Sequence, residues 1–187
     1  MIEIVDYNPD WPLEFDRVAS RLRDALGDDP LRIDHIGSTS VPGLAAKDRI
    51  DVQIAVASLN EPARIINALS RAGYEYRPTI DRDHVPPDAI ADPAQWAKLL
   101  FRELPPQRAT NIHLRVRGHA NWRYALLFRD YLRANPATAL AYAEAKRRLA
   151  AQLGNDLGSY ADLKDPICDI IMVAAEAWAA VTNWKAP

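Results

Sequence analysis

An α+β domain, in which a mixed β-sheet carries flanking helices and a helical C-terminal part, is predicted from three observations. Short β-branched runs alternate with segments of helical period up to Val116, and only helical periodicity follows from Trp122 onward. The run Ile50-Asp-Val-Gln-Ile-Ala-Val56 alternates strictly, as a strand between unlike faces does. At 187 residues and 49% hydrophobic content, the chain can bury one sizeable core, so residues 1–187 are read as a single domain.

The elements follow in order. Asp10 is placed to cap a first helix with Pro12 in its first turn, and Phe15, Val18, Leu22, Ala25 and Leu26 recur at helical spacing until Gly27 stops it. Leu31–Ile36 and Arg49–Ala57 read as strands. In the second, Ile50, Val52, Ile54 and Val56 share one face, and Asp51, Gln53 and Ala55 the other. A helix over Glu61–Ala72 ends at Gly73, and a strand near Tyr74–Arg77 comes next. The polar, Pro-rich stretch Pro78–Pro93 is long for a connection and suggests a lid or mobile loop. Strands near Lys98–Arg102 and Thr110–Val116 complete the sheet. Helices over Trp122–Ala134, Pro136–Leu153 and Ser159–Thr182 close the chain, with Pro166 expected to break or kink the last.

Net charge is −2 but unevenly distributed. Lys98 to Arg148 holds eleven basic residues against three acids, so this part carries +8 and the remainder −10. Arg147 and Arg148 read as solvated helix positions. Arg115 and Arg117 alternate on a strand and share a face, which near a metal carboxylate points to a small anionic ligand. Nucleic acid is not indicated, because the whole chain is slightly acidic and has no basic tail. No apolar run reaches membrane-spanning length and Met1-Ile-Glu-Ile-Val-Asp6 lacks signal-peptide character, so no membrane partner and a cytoplasmic location are expected. The single cysteine, Cys168, excludes an internal disulfide and reads as a buried thiol in an apolar run.

Chemistry concentrates in His35-Ile-Gly-Ser-Thr-Ser-Val-Pro-Gly-Leu-Ala-Ala-Lys47 and the strand after it. Gly37 permits close backbone approach to a phosphate, Ser38 and Thr39 add hydroxyls, Lys47 offers a cation, and Asp51 can hold a divalent ion. The bland reading of Asp51 is a salt bridge with Arg49 or Arg115. Gln53 looks the same way as Asp51, either toward a ligand or into a buried hydrogen bond. Asn111, His113 and Arg115 make a polar stripe on one strand face, which suits a ligand wall better than a core. His35 reads as a strand-end hydrogen-bonding group, with a metal ligand or general base as alternatives. Asp81-Arg-Asp-His84 has a metal-like composition and reads more simply as polar loop. Trp96, beside the expected lid, is the one tryptophan considered for base stacking; the others read as packing anchors.

These residues resemble the GrpB family, of the nucleotidyltransferase (DNA polymerase beta-like) fold. The likeness rests on Val5-Asp-Tyr-Asn-Pro-Asp-Trp-Pro12, the HIGSTSVPGLAAK block with Ile50-Asp-Val-Gln-Ile54, Asn111-Ile-His-Leu114, Leu127-Phe-Arg-Asp-Tyr-Leu-Arg133 and Tyr142-Ala-Glu-Ala-Lys146. It implies that Gly37 and Ser38 form a phosphate-contacting turn and that Asp51 is the first metal carboxylate, with Mg²⁺ as the cofactor, Mn²⁺ the alternative and no organic cofactor. Tyr160 and Lys164, one helical turn apart, match a recurrent family pair and are expected to face the cleft. Gln53 stands where a second carboxylate is expected and His113 where the third is, so the carboxylate set is incomplete for two-metal transfer.

Three functions follow as expectations. The first is transfer of a nucleotidyl group from a nucleoside triphosphate to a small acceptor beside His113 and Arg115. The second is altered chemistry on a small anionic metabolite, with His113 or His35 as base. The third is a non-catalytic binding or accessory module, as where this kind of domain is joined to a dephospho-coenzyme A kinase. Acceptor, base preference and oligomeric state stay open.

Overall fold

The computed structural model describes residues 1–87 and 89–187. Its elements are α1 (Trp11–Leu26), β1 (Arg32–Ile36), β2 (Ile50–Val56), α2 (Pro62–Arg71), β3 (Tyr74–Tyr76), β4 (Leu99–Glu103), β5 (Thr110–Val116), α3 (Ala120–Ala134), α4 (Pro136–Leu153) and α5 (Leu157–Thr182), with 3-10 turns at Ser38–Ser40 and Pro93–Trp96. The sheet runs β1-β2-β5-β4-β3. Only β2 and β5 are parallel; the other neighbours are antiparallel. A mixed sheet with flanking helices and a helical C-terminal region is the architecture expected from the sequence.

The alternation in β2 decides the layering. Ile50, Val52, Ile54 and Val56, with Ile112 and Leu114 of β5, pack against Trp11, Val18, Leu22 and Leu26 of α1 and Ile65 and Leu69 of α2. The other face carries Asp51, Gln53 and Ala55, and Trp122 and Leu126 of α3 pack on Ala55 and Ile36. A polar strip is thereby left beside α3. Helices α3, α4 and α5 form a second core around Leu127, Leu132, Tyr142, Met172 and Ala175, joined by Val41, Leu44 and Ala45 of the segment between β1 and β2. This segment is gripped between the sheet and the C-terminal helices. Among the described residues no helix is long and apolar enough to cross a membrane.

Three expectations are corrected. Asp10 occupies the N-cap position of α1, but its side chain makes no capping bond. Helix α5 continues through Pro166, so the expected break or kink is not a break. Pro166 and Asp162, whose carbonyl loses its helical partner there, are both exposed, so water can serve that carbonyl, while Tyr160, Cys168 and Met172 pack on either side of the proline. Finally, the stretch Pro78–Pro93, apart from residue 88, which lies outside the described residues, is tied down at its centre. Arg82 bridges Ala97, Asp83 N–H donates to Trp96 O at 2.9 Å, and the Asp83 side chain is held in an ionic network.

Candidate functional site

The site grows from the β2–β5 register. Parallel pairing sets Asp51 opposite Asn111 and Gln53 opposite His113, so these side chains share one face. Asn111 Nδ2 donates to Asp51 Oδ1 at 2.8 Å. His113 Nε2 stands 3.9 Å from the same oxygen. Arg115 donates to His113 Nδ1 at 3.5 Å, which leaves Nε2 to carry the imidazole proton toward Asp51. Burial, with the charges of Arg115 and Lys98, lowers the His113 pKa to about 4, so the ring is neutral near pH 7. Burial raises the Asp51 carboxyl, but contacts from His113 and Asn111 and the charge of Lys47 outweigh it and hold the group below the usual carboxylate range. Neither Arg49 nor Arg115 pairs with Asp51; they engage Glu103 and Asp83. Asp51 remains 28% exposed.

Gly37 follows β1 directly and arches over this carboxylate. Its φ of 67° and ψ of −173° lie in a region that glycine alone visits readily. A Cβ built there would lie 2.9 Å from Cβ and Cγ of Asp51 and closer still to Oδ2. The backbone approaches the acid closely because position 37 has no side chain. Helix α3 fixes the turn: Arg129 donates to His35 O at 3.1 Å, and Arg133 donates to Ser40 O at 2.7 and 3.0 Å.

A group of lysines surrounds the turn. Lys146, on the inner stripe of α4, is 3% exposed, and its Nζ donates to Ser38 Oγ at 2.8 Å and to Ala45 O at 2.5 Å. It also lies 4.6 Å from the Tyr142 ring centroid. Burial and the nearby Lys164 and Lys47 lower its pKa to about 7, against an opposing pull from Cys168 and Asp51. Lys47 Nζ sits 4.3 Å over the Tyr160 ring, and the buried Tyr160 hydroxyl has no partner among the described residues. Lys164 Nζ lies 3.6 Å from Cys168 Sγ and 3.7 Å from Asp165. Neither Lys47 nor Lys146 has a carboxylate within ion-pair distance among the described residues, so the Ser38 side of the cleft is cationic.

Beneath Asp51 the polar groups serve one another. Gln53 is 0% exposed, accepts from Arg115 at 2.6 Å and donates to Trp122 O at 3.2 Å. Asp83 takes two hydrogen bonds from Arg115, at 2.8 and 3.0 Å, one from Lys98 at 2.6 Å and one from Asn121 at 3.1 Å. Burial raises the Asp83 carboxyl, but Arg115 and Lys98 hold it far below the usual range. Arg115 therefore has its guanidinium engaged by Asp83 and Gln53 and supports the floor of the site.

Not every sequence candidate reaches the cleft. His35 pairs with Val52 and therefore faces α1, where its ring stacks on Phe15 at 4.7 Å and its Nε2 meets Thr39 Oγ1 at 3.0 Å. It stands on the opposite sheet face from Asp51 and His113, and burial lowers its pKa to about 4. Thr39, 1% exposed, belongs to the same hydrogen-bonded set. Trp96 is buried, donates to Ile90 O and packs on Tyr124, which leaves no open ring face for a base. Cys168 is buried. Lys146, Tyr142, Lys98 and Asp83 were missed as site residues. Lys146 had left a signal, a lone cation on the stripe Ala139, Tyr142, Ala143, Ala150.

A metal ion fits only in part. Among the described residues no three His, Cys, Asp or Glu side chains converge as a ligand group. Asp51 does lie beside Asn111, whose Nδ2 donates to it and whose buried Oδ1 has no partner among the described residues. One carboxylate and one amide oxygen suit a hard cation that also takes water and phosphate oxygens.

Comparison with known proteins agrees with this architecture. The family described as GrpB protein matches residues 1–173. A dephospho-CoA kinase of Mycolicibacterium paratuberculosis is 37% identical over 196 residues, which cover 98% of this chain and 48% of that protein. The chain thus spans about half the length of the dephospho-CoA kinases it matches. A UPF0157 protein of Halalkalibacterium halodurans is 35% identical over 94% of this chain and 83% of its own. Among solved structures, the conserved protein GrpB from Enterococcus faecalis superposes with a TM-score of 0.76 at 29% identity, covering 94% of this chain and 99% of that one.

Proposed function

The chain belongs to the GrpB family, of nucleotidyltransferase-like architecture, and from that premise we propose that its cleft binds a nucleoside triphosphate with Mg²⁺ and transfers a nucleotidyl group to a small acceptor. The observation that carries this reading is the juxtaposition of Asp51, free of any Arg or Lys ion pair among the described residues, under Gly37 with the lysines Lys47 and Lys146 on the Ser38 side and Lys164 near them. Anionic phosphates would neutralise the lysines, and the Ser38 hydroxyl would add a donor. Mg²⁺, or Mn²⁺ as the alternative, would be held by Asp51 and Asn111 Oδ1, and when bound would neutralise charge on phosphate oxygens. Neutral His113 keeps a proton directed at Asp51, and Arg115, Asp83 and Gln53 hold that imidazole in place. The test is calorimetry with nucleoside triphosphates and Mg²⁺ on the wild type and Asp51→Asn, together with pyrophosphate release. Metal-dependent binding should be lost in D51N; unchanged binding would sink the proposal.

A second reading is favoured by Gln53 and Asp83. Two-metal transfer needs several free carboxylates, whereas here Gln53 is an amide and Asp83 is already neutralised by Arg115 and Lys98. On this reading the same cleft takes a small anionic metabolite without nucleotidyl transfer, or acts as an accessory module. Its likeness to half of proteins named dephospho-CoA kinase suits such a role. Tight nucleotide binding with no pyrophosphate release would select the accessory role, and binding of a small anionic metabolite without nucleotide would select the altered chemistry.

A further inference from the structure

Across the sheet from the lysines, one cation has been left without a counterion. Pairing places Glu75, Arg102, Asn111 and Asp51 in a single cross-strand row on the site face. Arg102 and Asp51 are two strands apart, roughly 10 Å between backbones. Both carboxylates within reach are engaged elsewhere: Glu75 with Arg77 at 2.7 Å, and Glu103 with Arg49 at 2.6 Å and with the backbone N–H of Thr110 at 2.9 Å. The Arg102 side chain makes no hydrogen bond or ion pair among the described residues, and its Nε is buried without a partner. Burial, with Arg49 and Arg77 nearby, lowers its pKa. A partly buried guanidinium with no direct partner and with Arg49 and Arg77 nearby is costly unless an anion completes it.

We propose that Arg102 forms a second anion subsite that receives a carboxylate or phosphomonoester on the acceptor. The planar fork of Arg102 can bind either group through two parallel hydrogen bonds, and its place in the row brings that group alongside Asp51. The Ser38–Lys146 side would then hold the donor's phosphates and the Arg102 side the acceptor, with Asp51 between them. Arg115, whose guanidinium is engaged by Asp83 and Gln53, is not needed for this recognition. The proposal rests on the reading of the Asp51 cleft as a transfer site, and it names the acceptor as an acid.

The test is calorimetry with two probes, succinate for the carboxylate and glycerol 3-phosphate for the phosphomonoester, each with and without Mg²⁺ and a non-hydrolysable nucleotide. It uses the full chain as wild type, Arg102→Gln, Arg102→Lys and Lys146→Met, with circular dichroism to confirm folding. In R102Q the better probe should weaken by about tenfold or more, the loss of a charge-assisted pair, while nucleotide affinity stays within a few-fold. R102K should be intermediate because it keeps charge and loses the fork. K146M should show the reverse pattern, weakening nucleotide more than probe. Equal probe binding by R102Q and wild type, no probe binding by wild type at millimolar concentration, or equal loss of probe and nucleotide in R102Q would each overturn the subsite. Failure of the wild type to bind any nucleotide would instead overturn the transfer reading, leaving Arg102 to be judged on the probes alone.

Discussion

Lys146 is a buried cation whose charge is marginal at neutral pH, and the consequence has a definite sign. Its pKa in the folded chain is about 7, below the ordinary 10.5, so between those values the unfolded chain binds the extra proton. Stability from this group therefore rises with pH from about 7 toward 10, and the slope vanishes below 7, where both states are charged. Urea denaturation across this range should show the rise in wild type and a flatter profile in Lys146→Met. Gly37 is the complementary residue: it contributes no charge, yet its missing side chain lets the backbone lie against Asp51.

At the scale of elements, the stretch that leads into β4 is held by one carboxylate. Asp83→Asn would leave Arg115 and Lys98 buried without their counter-charge, and should cost about 3–5 kcal/mol by chemical denaturation. A loss near zero would mean that the network does not anchor this stretch. Strand β2 was legible in the sequence because strict alternation separates Ile50, Val52, Ile54 and Val56 from Asp51 and Gln53. The stripe of α4 was only faintly legible, because alanines on all its faces leave little apolar contrast against which the lone cation Lys146 could stand out. Asp83 was illegible in a different way. A loop has no period, so only tertiary packing reveals that this acid is partly buried and ion-paired while its neighbours Asp81 and Arg82 are exposed.

Across the whole molecule, histidines on opposite faces of the sheet share one response to acid. His35 and His113 both have pKa values of about 4 in the folded chain, against an ordinary 6.5, so the unfolded chain binds more protons between those values. Stability should fall as pH drops from 6.5 to 4, with a slope of up to about 2.7 kcal/mol per pH unit from the two groups. His113→Gln should remove about half of that slope in urea titrations; an unchanged slope would contradict the assignment. The sequence reading of His35 as a hydrogen-bonding group and of His113 as part of the ligand wall agrees with this placement, while the β1–β2 register supplies what turns His35 toward Phe15.

The parallel pairing of β2 with β5 also bears on how the chain folds. Residues 57–109 must be threaded through α2, β3 and β4 before Asn111 can meet Asp51, and α4 must return still later to bring Lys146 to Ser38. Closing such long loops is entropically costly, and pairings this distant along the chain form slowly. The cleft is therefore a late product of folding: an intermediate holding only α1, β1 and β2 would have Gly37 and Asp51 together but neither Asn111 nor Lys146.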